Sequence, residues 1–527
     1  MQLLQHLRTL CRDAILRVSS LNDCDHAVIT TSATRRREVS RLYTVSITAL
    51  LGLLASAPAQ ADVVLPRILG HNMVLQRNKP LPIWGTATPG EAVTVQFGRQ
   101  QQRTTTDAAG HWQVTLQPLT ASAKPAELVI TGRNTIRLHD ILVGEVWLAS
   151  GQSNMEYTMR KNSKVTIPAT EDASPLTELD RAHNPAIRIF LVNRKELVKP
   201  EPQHKGWSIA QDSALRSFSA PAYFFAKELY DHLKVPIGVI SSAIPGSRIE
   251  PWIAEEAFAQ DPYYASQKVD GDPGKFYEPM IRPLAPLALR GFLWYQGESN
   301  CFLSETTSYT HKLNTLIGNW RTAWHDPTLP FYYVQLAPFK YSESKDTKVP
   351  LNRETLPRFR EAQEAVLQTP HTGLIVTTDL VTKLDDIHPP YKWKIGRRLA
   401  WLALADTYKQ KSVAAAGPVF DQLQMKGATV VISYKPLKSR LISNDGQPLT
   451  DFEVAGSDGV FRPAQARIKG KRVLVSAPEV PQPLAVRFGW DEVAKPNLFS
   501  KAGLPARPFR TSTSATGTTT ATTEAGK

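Results

Sequence analysis

The feature that most restricts the fold is an alternation that begins at Ile141. Short apolar runs of strand length recur at residues 145–149, 187–192, 237–242, 291–295, 331–336 and 373–378. Helical patterns lie between them at residues 222–233, 309–324, 358–368 and 392–408. Parallel strands need long crossovers, and helices supply them. The order therefore predicts an α/β domain built on a doubly wound parallel sheet covered on both faces. Ligands of such sheets bind beyond the carboxyl ends of the strands. The chemistry is sought in the segments that immediately follow each strand.

The flanks read differently. Residues 62–140 carry strand-like runs at 63–65, 81–85, 93–97, 112–116 and 128–130, with turn signals at Asn78-Lys79-Pro80, Pro89-Gly90 and Ala109-Gly110. Residues 411–510 return to this pattern at 429–433, 472–475 and 484–488. The expected layout is a leader over 1–61, an N-terminal β-domain over 62–140, the α/β domain over 141–410 and a C-terminal β-domain over 411–510. Both β-domains are read as sandwich-like. The Thr-, Ser- and Ala-rich tail at 511–527 has nothing to bury and is expected to be disordered.

Arg35, Arg36, Arg37 and Arg41 form a basic region, an apolar run follows over residues 42–57, and Ala59-Gln60-Ala61 completes a cleavage-site pattern. That order is a secretory signal, and the run is short for a spanning helix, which needs about 20 residues. The expectation is export to the periplasm or beyond, with no stable membrane insertion after cleavage. Cys11 and Cys24 fall in the leader, so Cys301 stands alone afterwards and no internal disulfide can form. The net charge is +14; the leader holds seven Lys/Arg against four Asp/Glu, leaving +11 beyond it. The excess is scattered, as on a solvated surface. No zinc-ligand spacing, phosphate-binding loop or nucleic-acid module is present in the pattern, so neither metal, organic cofactor nor nucleic acid is expected.

Four post-strand segments carry chemistry. The first is Gly151-Gln152-Ser153-Asn154-Met155, in which a glycine turn leaves a serine at the strand end, where backbone N–H groups favour developing negative charge. A helix-capping serine is the bland alternative. The second, Ile244-Pro245-Gly246-Ser247-Arg248, offers an unobstructed amide at Gly246. The third, Trp294-Tyr295-Gln296-Gly297-Glu298-Ser299-Asn300, offers Gln296 or Asn300 as an amide donor, and Glu298 to bind ligand hydroxyls or orient neighbours. The fourth, Leu384-Asp385-Asp386-Ile387-His388-Pro389, has a histidine with carboxylates beside it. An Asp three residues before a His can reach its Nδ1, which selects Asp385, with Asp386 as the alternative. Trp147, Trp252, Trp294 and Tyr295 are candidates for a floor on which a ligand ring stacks, although aromatics in such runs more often fill a core.

The joint occurrence decides the reading, because four loops at four parallel strand ends share one rim. These blocks resemble those of sialate O-acetylesterase-type enzymes, which belong to the SGNH (GDSL-like) hydrolases, over residues 141–408. The resemblance implies Ser153 as nucleophile and His388 as general acid/base, with Asp385 or Asp386 orienting it or a Ser–His pair sufficing. It implies an oxyanion held by the Ser153 amide, Gly246 and a side chain of the third block, with Gln152 in the same site. The wider superfamily has Gly-x-Asn there, whereas Glu298 and Ser299 separate Gly297 from Asn300. The substrate it implies is an O-acetylated sugar, sialic acid or a plant wall glycan. Rival readings are a non-catalytic carbohydrate-binding protein on this scaffold and a lipase or thioesterase.

Overall fold

The computed structural model describes residues 62–169, 171–192, 205–345 and 347–512. The leader, and the tail from residue 513 onward, lie outside the described residues.

Strands β1 (Val74–Gln76), β2 (Leu81–Thr86), β3 (Ala92–Phe97), β4 (Gln100–Thr105), β5 (His111–Leu116) and β6 (Ser122–Thr131) precede the long strand β7 (Thr135–Gly151). β5 follows the period-two rule closely: Trp112, Val114 and Leu116 are buried, and the residues between them are exposed. β1 and β4 do not appear among the sequence expectations, and 63–65 forms only a single bridge between Val64 and Thr86. β4 was illegible because its sequence, Gln-Gln-Gln-Arg-Thr-Thr, contains no apolar residue. Its pairing with β3 supplies the order instead.

β7 crosses residue 140 without a break. Its first half pairs antiparallel with β6, and residues 142–144 pair parallel with β1. Its second half is the centre of a sheet completed by β8 (Ile187–Leu191), β9 (Ser208–Ile209), β10 (Ile237–Ala243), β11 (Gly291–Tyr295), β12 (Phe331–Val334) and β13 (Thr372–Ile375). The order is β13-β12-β11-β7-β10-β8-β9, parallel throughout except for β9. The apolar run from Ile141 to Ala149 is buried at nearly every position, as a strand covered on both sides requires. One continuous core joins Val63 to Leu404.

The helices that position the site are, among others, α1 (Ser153–Glu156), α2 (Ala220–Leu233), α3 (Glu298–Cys301), α4 (Thr307–Ala323), α5 (Thr355–Ala365) and α6 (Lys392–Asp406). α2 packs on α6, and α4 on α5. Antiparallel strands follow in two four-stranded sheets with a core of their own, around Val430, Val454, Val473 and Phe488. They dock on α5 through Arg487–Glu354, Arg507–Glu364 and Arg510–Glu361. Among the described residues, no helix is long and apolar enough to cross a membrane.

Candidate active site

The parallel register brings the predicted loops to one level. Gly151 at the end of β7 pairs with Ala243 at the end of β10 and with Tyr295 at the end of β11. The chain turns sharply here because Gly151 sits at φ +138°, a conformation that side chains other than hydrogen rarely adopt. A Cβ added to it would lie 2.1 Å from the Tyr295 carbonyl oxygen. Gln152 N–H donates to that same carbonyl at 3.0 Å, and Ser153 opens α1. The next loop is tied in by Ile244 N–H donating to the Gly151 carbonyl at 3.1 Å, and Gly246 is exposed at φ +71°. Ser299 Oγ donates to the Gly246 carbonyl at 3.1 Å, joining second and third loops.

The fourth loop arrives from β13, at the far edge of the sheet. His388 Nε2 lies 2.9 Å from Ser153 Oγ, across 235 residues of sequence. A hydroxyl and an imidazole at that distance can pass a proton. On the other side of the ring, Asp386 Oδ1 is 3.4 Å from Nδ1 and also accepts the His388 backbone N–H at 2.9 Å. Asp385 is exposed and makes no ion pair or hydrogen bond with His388 among the described residues. Where the spacing favoured Asp385, the turn closed by Asp386 onto the His388 amide brings the nearer carboxylate in instead.

The family model described as carbohydrate esterase, sialic acid-specific acetylesterase, matches residues 143–405. The sialate O-acetylesterase of Homo sapiens is 30% identical over 401 residues, covering 68% of this chain and 73% of that protein. The chain belongs to the sialic acid-specific acetylesterase family of carbohydrate esterases. The sialate O-acetylesterase of Mus musculus is 28% identical over 427 residues, covering 68% of the chain and 76% of that protein. A carbohydrate acetylesterase from Xanthomonas citri superposes with a TM-score of 0.75 at 34% identity, covering 86% of this chain and all of that one. This acetylesterase-family chain is an ester hydrolase.

Within the acetylesterase-family site, the third loop is turned inward. Gln296 Nε2 donates to the Ser247 carbonyl at 3.2 Å and to Asn300 Oδ1 at 2.7 Å, while its Oε1 accepts from Tyr309. Asn300 Nδ2 faces Glu250 and Glu305, at 3.3 to 3.5 Å. Gln296 has its hydrogens engaged in a buried network and Asn300 faces buried carboxylates, which differs from the expectation that one of them donates to an oxyanion. Leaving those buried groups unpaired would cost about 1–3 kcal/mol each, so the network wins. Gln152 packs its carboxamide between Ser247, Glu298 and the backbone of Gly297 and Ser299. Trp147, Trp252, Trp294 and Tyr295 are all buried and form core, not a stacking floor. Cys301 is buried too, and burial pushes its thiol up, away from nucleophilic use.

Two residues with no sequence-assigned role lie at the centre. Asn154 Nδ2 donates to Glu298 and, at 3.1 Å, to the Ile387 carbonyl, while Lys392 Nζ donates to Asn154 Oδ1. All three side chains are buried. Burial pushes the Lys392 ammonium down to about 7, against the opposing pull of Glu298. Burial likewise raises the Glu298 carboxyl, opposed by its bond from Asn154. Lys392 had a signal: it occupies the same stripe of α6 as Ile395 and Leu399, where an apolar residue is ordinary. Among the described residues, no group of three or more His, Cys, Asp or Glu side chains is placed to hold a metal ion.

Proposed function

We propose that this acetylesterase-family protein hydrolyses O-acetyl esters on carbohydrates, with Ser153 as nucleophile and His388 as general base and acid. The observation that carries this reading is the 2.9 Å approach of His388 Nε2 to Ser153 Oγ at the carboxyl edge of a parallel sheet. His388 takes the hydroxyl proton as Oγ bonds to the acetyl carbon. The oxyanion accepts from the Ser153 and Gly246 backbone N–H groups, carried by loops that leave two paired strand ends at one level. Collapse breaks the bond to the sugar oxygen, which leaves with the proton from His388. Water then attacks the acetyl-enzyme, its proton passing through His388 to Ser153 as acetate departs.

The substrate class is an O-acetylated sialic acid or an acetylated plant glycan such as xyloglucan or xylan. The family membership supports an acetylated sugar, and acetate release compared across those three substrates distinguishes them. A rate that climbs with acyl chain length on chromogenic esters would instead favour the lipase reading. The basic and apolar segments ahead of Ala59-Gln60-Ala61 support export, with 62–140, 141–410 and 411–510 as its three parts. N-terminal sequencing of the exported protein, expected to begin at Asp62, checks this.

The pH dependence follows from the charge around the imidazole. Burial first, then the nearby Lys392 ammonium, lowers His388 below its ordinary 6.5, with Asp386 opposing. Both disfavour the imidazolium, so His388 is already the free base at neutral pH. kcat/KM is expected to be flat near pH 7 and to fall tenfold per unit only below an inflection under 6.5. A limb inflecting above 7 would contradict that environment.

A further inference from the structure

The acidic partner of His388 is weakly placed for its supposed work. Its side chain is 57% exposed, and its 3.4 Å approach to Nδ1 is long for a hydrogen bond. Exposed pairs of this kind are worth little, about 0–1 kcal/mol. Something else holds the imidazole in place.

Asn154 follows Ser153 directly, and its Nδ2 bonds to the carbonyl of Ile387, the residue directly before His388. One carboxamide therefore spans the turn that carries the hydroxyl and the loop that carries the ring. It cannot swivel, because its oxygen accepts from Lys392 and its nitrogen also donates to Glu298. Lys392 stands four residues after His388, at the first turn of α6, with Nζ 4.8 Å from the centre of the Tyr157 ring and 5.4 Å from that of Tyr295. Glu298 stands at the first turn of α3, directly after β11. The strut thus ties the ends of β7 and β11 to the His388 loop.

We infer that Asn154, pinned between Lys392 and Glu298, is the positioning residue that sets His388 against Ser153, a role that Asp386 fills only loosely. This rests on the proposed Ser–His reading. A buried cation and a buried carboxylate joined through an amide compensate one another's charge, which is why the lysine is tolerated without solvent. The charged and titratable groups acting on His388 are Lys392, Lys161 and Asp386, and Tyr157 lies beside them.

The test is acetate release by the full chain and by Asn154→Ala, Lys392→Met and Asp386→Asn, with kcat and KM resolved and the pH profile recorded. Asn154→Ala is expected to lower kcat by about a hundredfold with KM within about twofold, because a displaced general base affects the transition state alone. Asp386→Asn is expected to lose about tenfold or less. Lys392→Met keeps the length and apolar packing of the stem, and is expected both to lower kcat and to move the acid limb upward, since a repelling cation is gone. A merely structural lysine would leave that limb in place. Asn154→Ala within threefold of wild-type kcat, a larger loss in Asp386→Asn, or an unmoved limb in Lys392→Met would overturn the inference. Should Asn154→Ala not fold, Asn154→Ser is read in its place, with the same expected loss in kcat at little-changed KM. Absence of acetate release by the unaltered chain would instead defeat the Ser–His reading.

Discussion

Ser153→Ala is expected to lower kcat for acetate release by about 10⁴- to 10⁶-fold, as loss of a serine nucleophile does elsewhere, equivalent to about 5–8 kcal/mol of transition-state stabilisation. Its stability is expected to stay within about 0.5 kcal/mol of the unaltered chain, because the hydroxyl is only partly buried and its side-chain partner is His388. That separation of activity from stability is what marks a nucleophile off from a capping serine. The cap bonds available to Ser153 are few, and α1 is a single turn. Acetate release measured on both proteins, with unfolding followed by circular dichroism, checks the pair of expectations. Equal rates would leave a carbohydrate-binding protein as the better description.

Gly151→Ala has the largest expected effect on folding. The new methyl meets the Tyr295 carbonyl oxygen at 2.1 Å, and the backbone is already at φ +138°. Neither side can yield cheaply, since Tyr295 is paired with Gly151 in the sheet and its carbonyl accepts from Gln152. We expect destabilisation beyond about 4 kcal/mol, or failure to accumulate as soluble protein. Gly246→Ala supplies the contrast. Its Cβ would meet nothing within 4 Å, and the residue is strained only by φ +71°, so a loss of about 1–2 kcal/mol is expected and the fold survives. Denaturant unfolding of the two variants measures both. A Gly151→Ala protein as stable as the parent would mean that the β7–β11 crossing is not as close as described.

How much was legible in advance varies with the physical signal. The strands 237–242 and 291–295 and the helices 309–324 and 392–408 were readable because apolar periodicity reports burial directly. The expected start of the second helix at 222 misses its first turn, where Ser219 caps Ala222 and Pro221 occupies an N-terminal position. β4 was unreadable because its order comes from a neighbour's backbone and not from its own side chains. The unbroken passage of β7 through residue 140 was hidden because the run Thr-Ile-Arg-Leu-His-Asp reads as a separate, half-polar segment.

In the site, Ser153 and His388 were recognisable one by one, since a hydroxyl after a glycine turn and an imidazole beside carboxylates are local patterns. The partners of Gln296, Asn300, Asn154 and Lys392 were not. An amide is donor and acceptor at once, and only its surroundings decide which groups it serves.

The amino-acid order alone determined the strands and helices that carry apolar periodicity, and placed Ser153 just past a strand end, because both follow from short-range periodicity and turn chemistry. The tertiary structure decided which carboxylate approaches His388, which amides are already engaged, and that a lysine four residues beyond the histidine is buried against Asn154. Those outcomes depend on distances between segments up to 238 residues apart, and on how completely water is excluded from them.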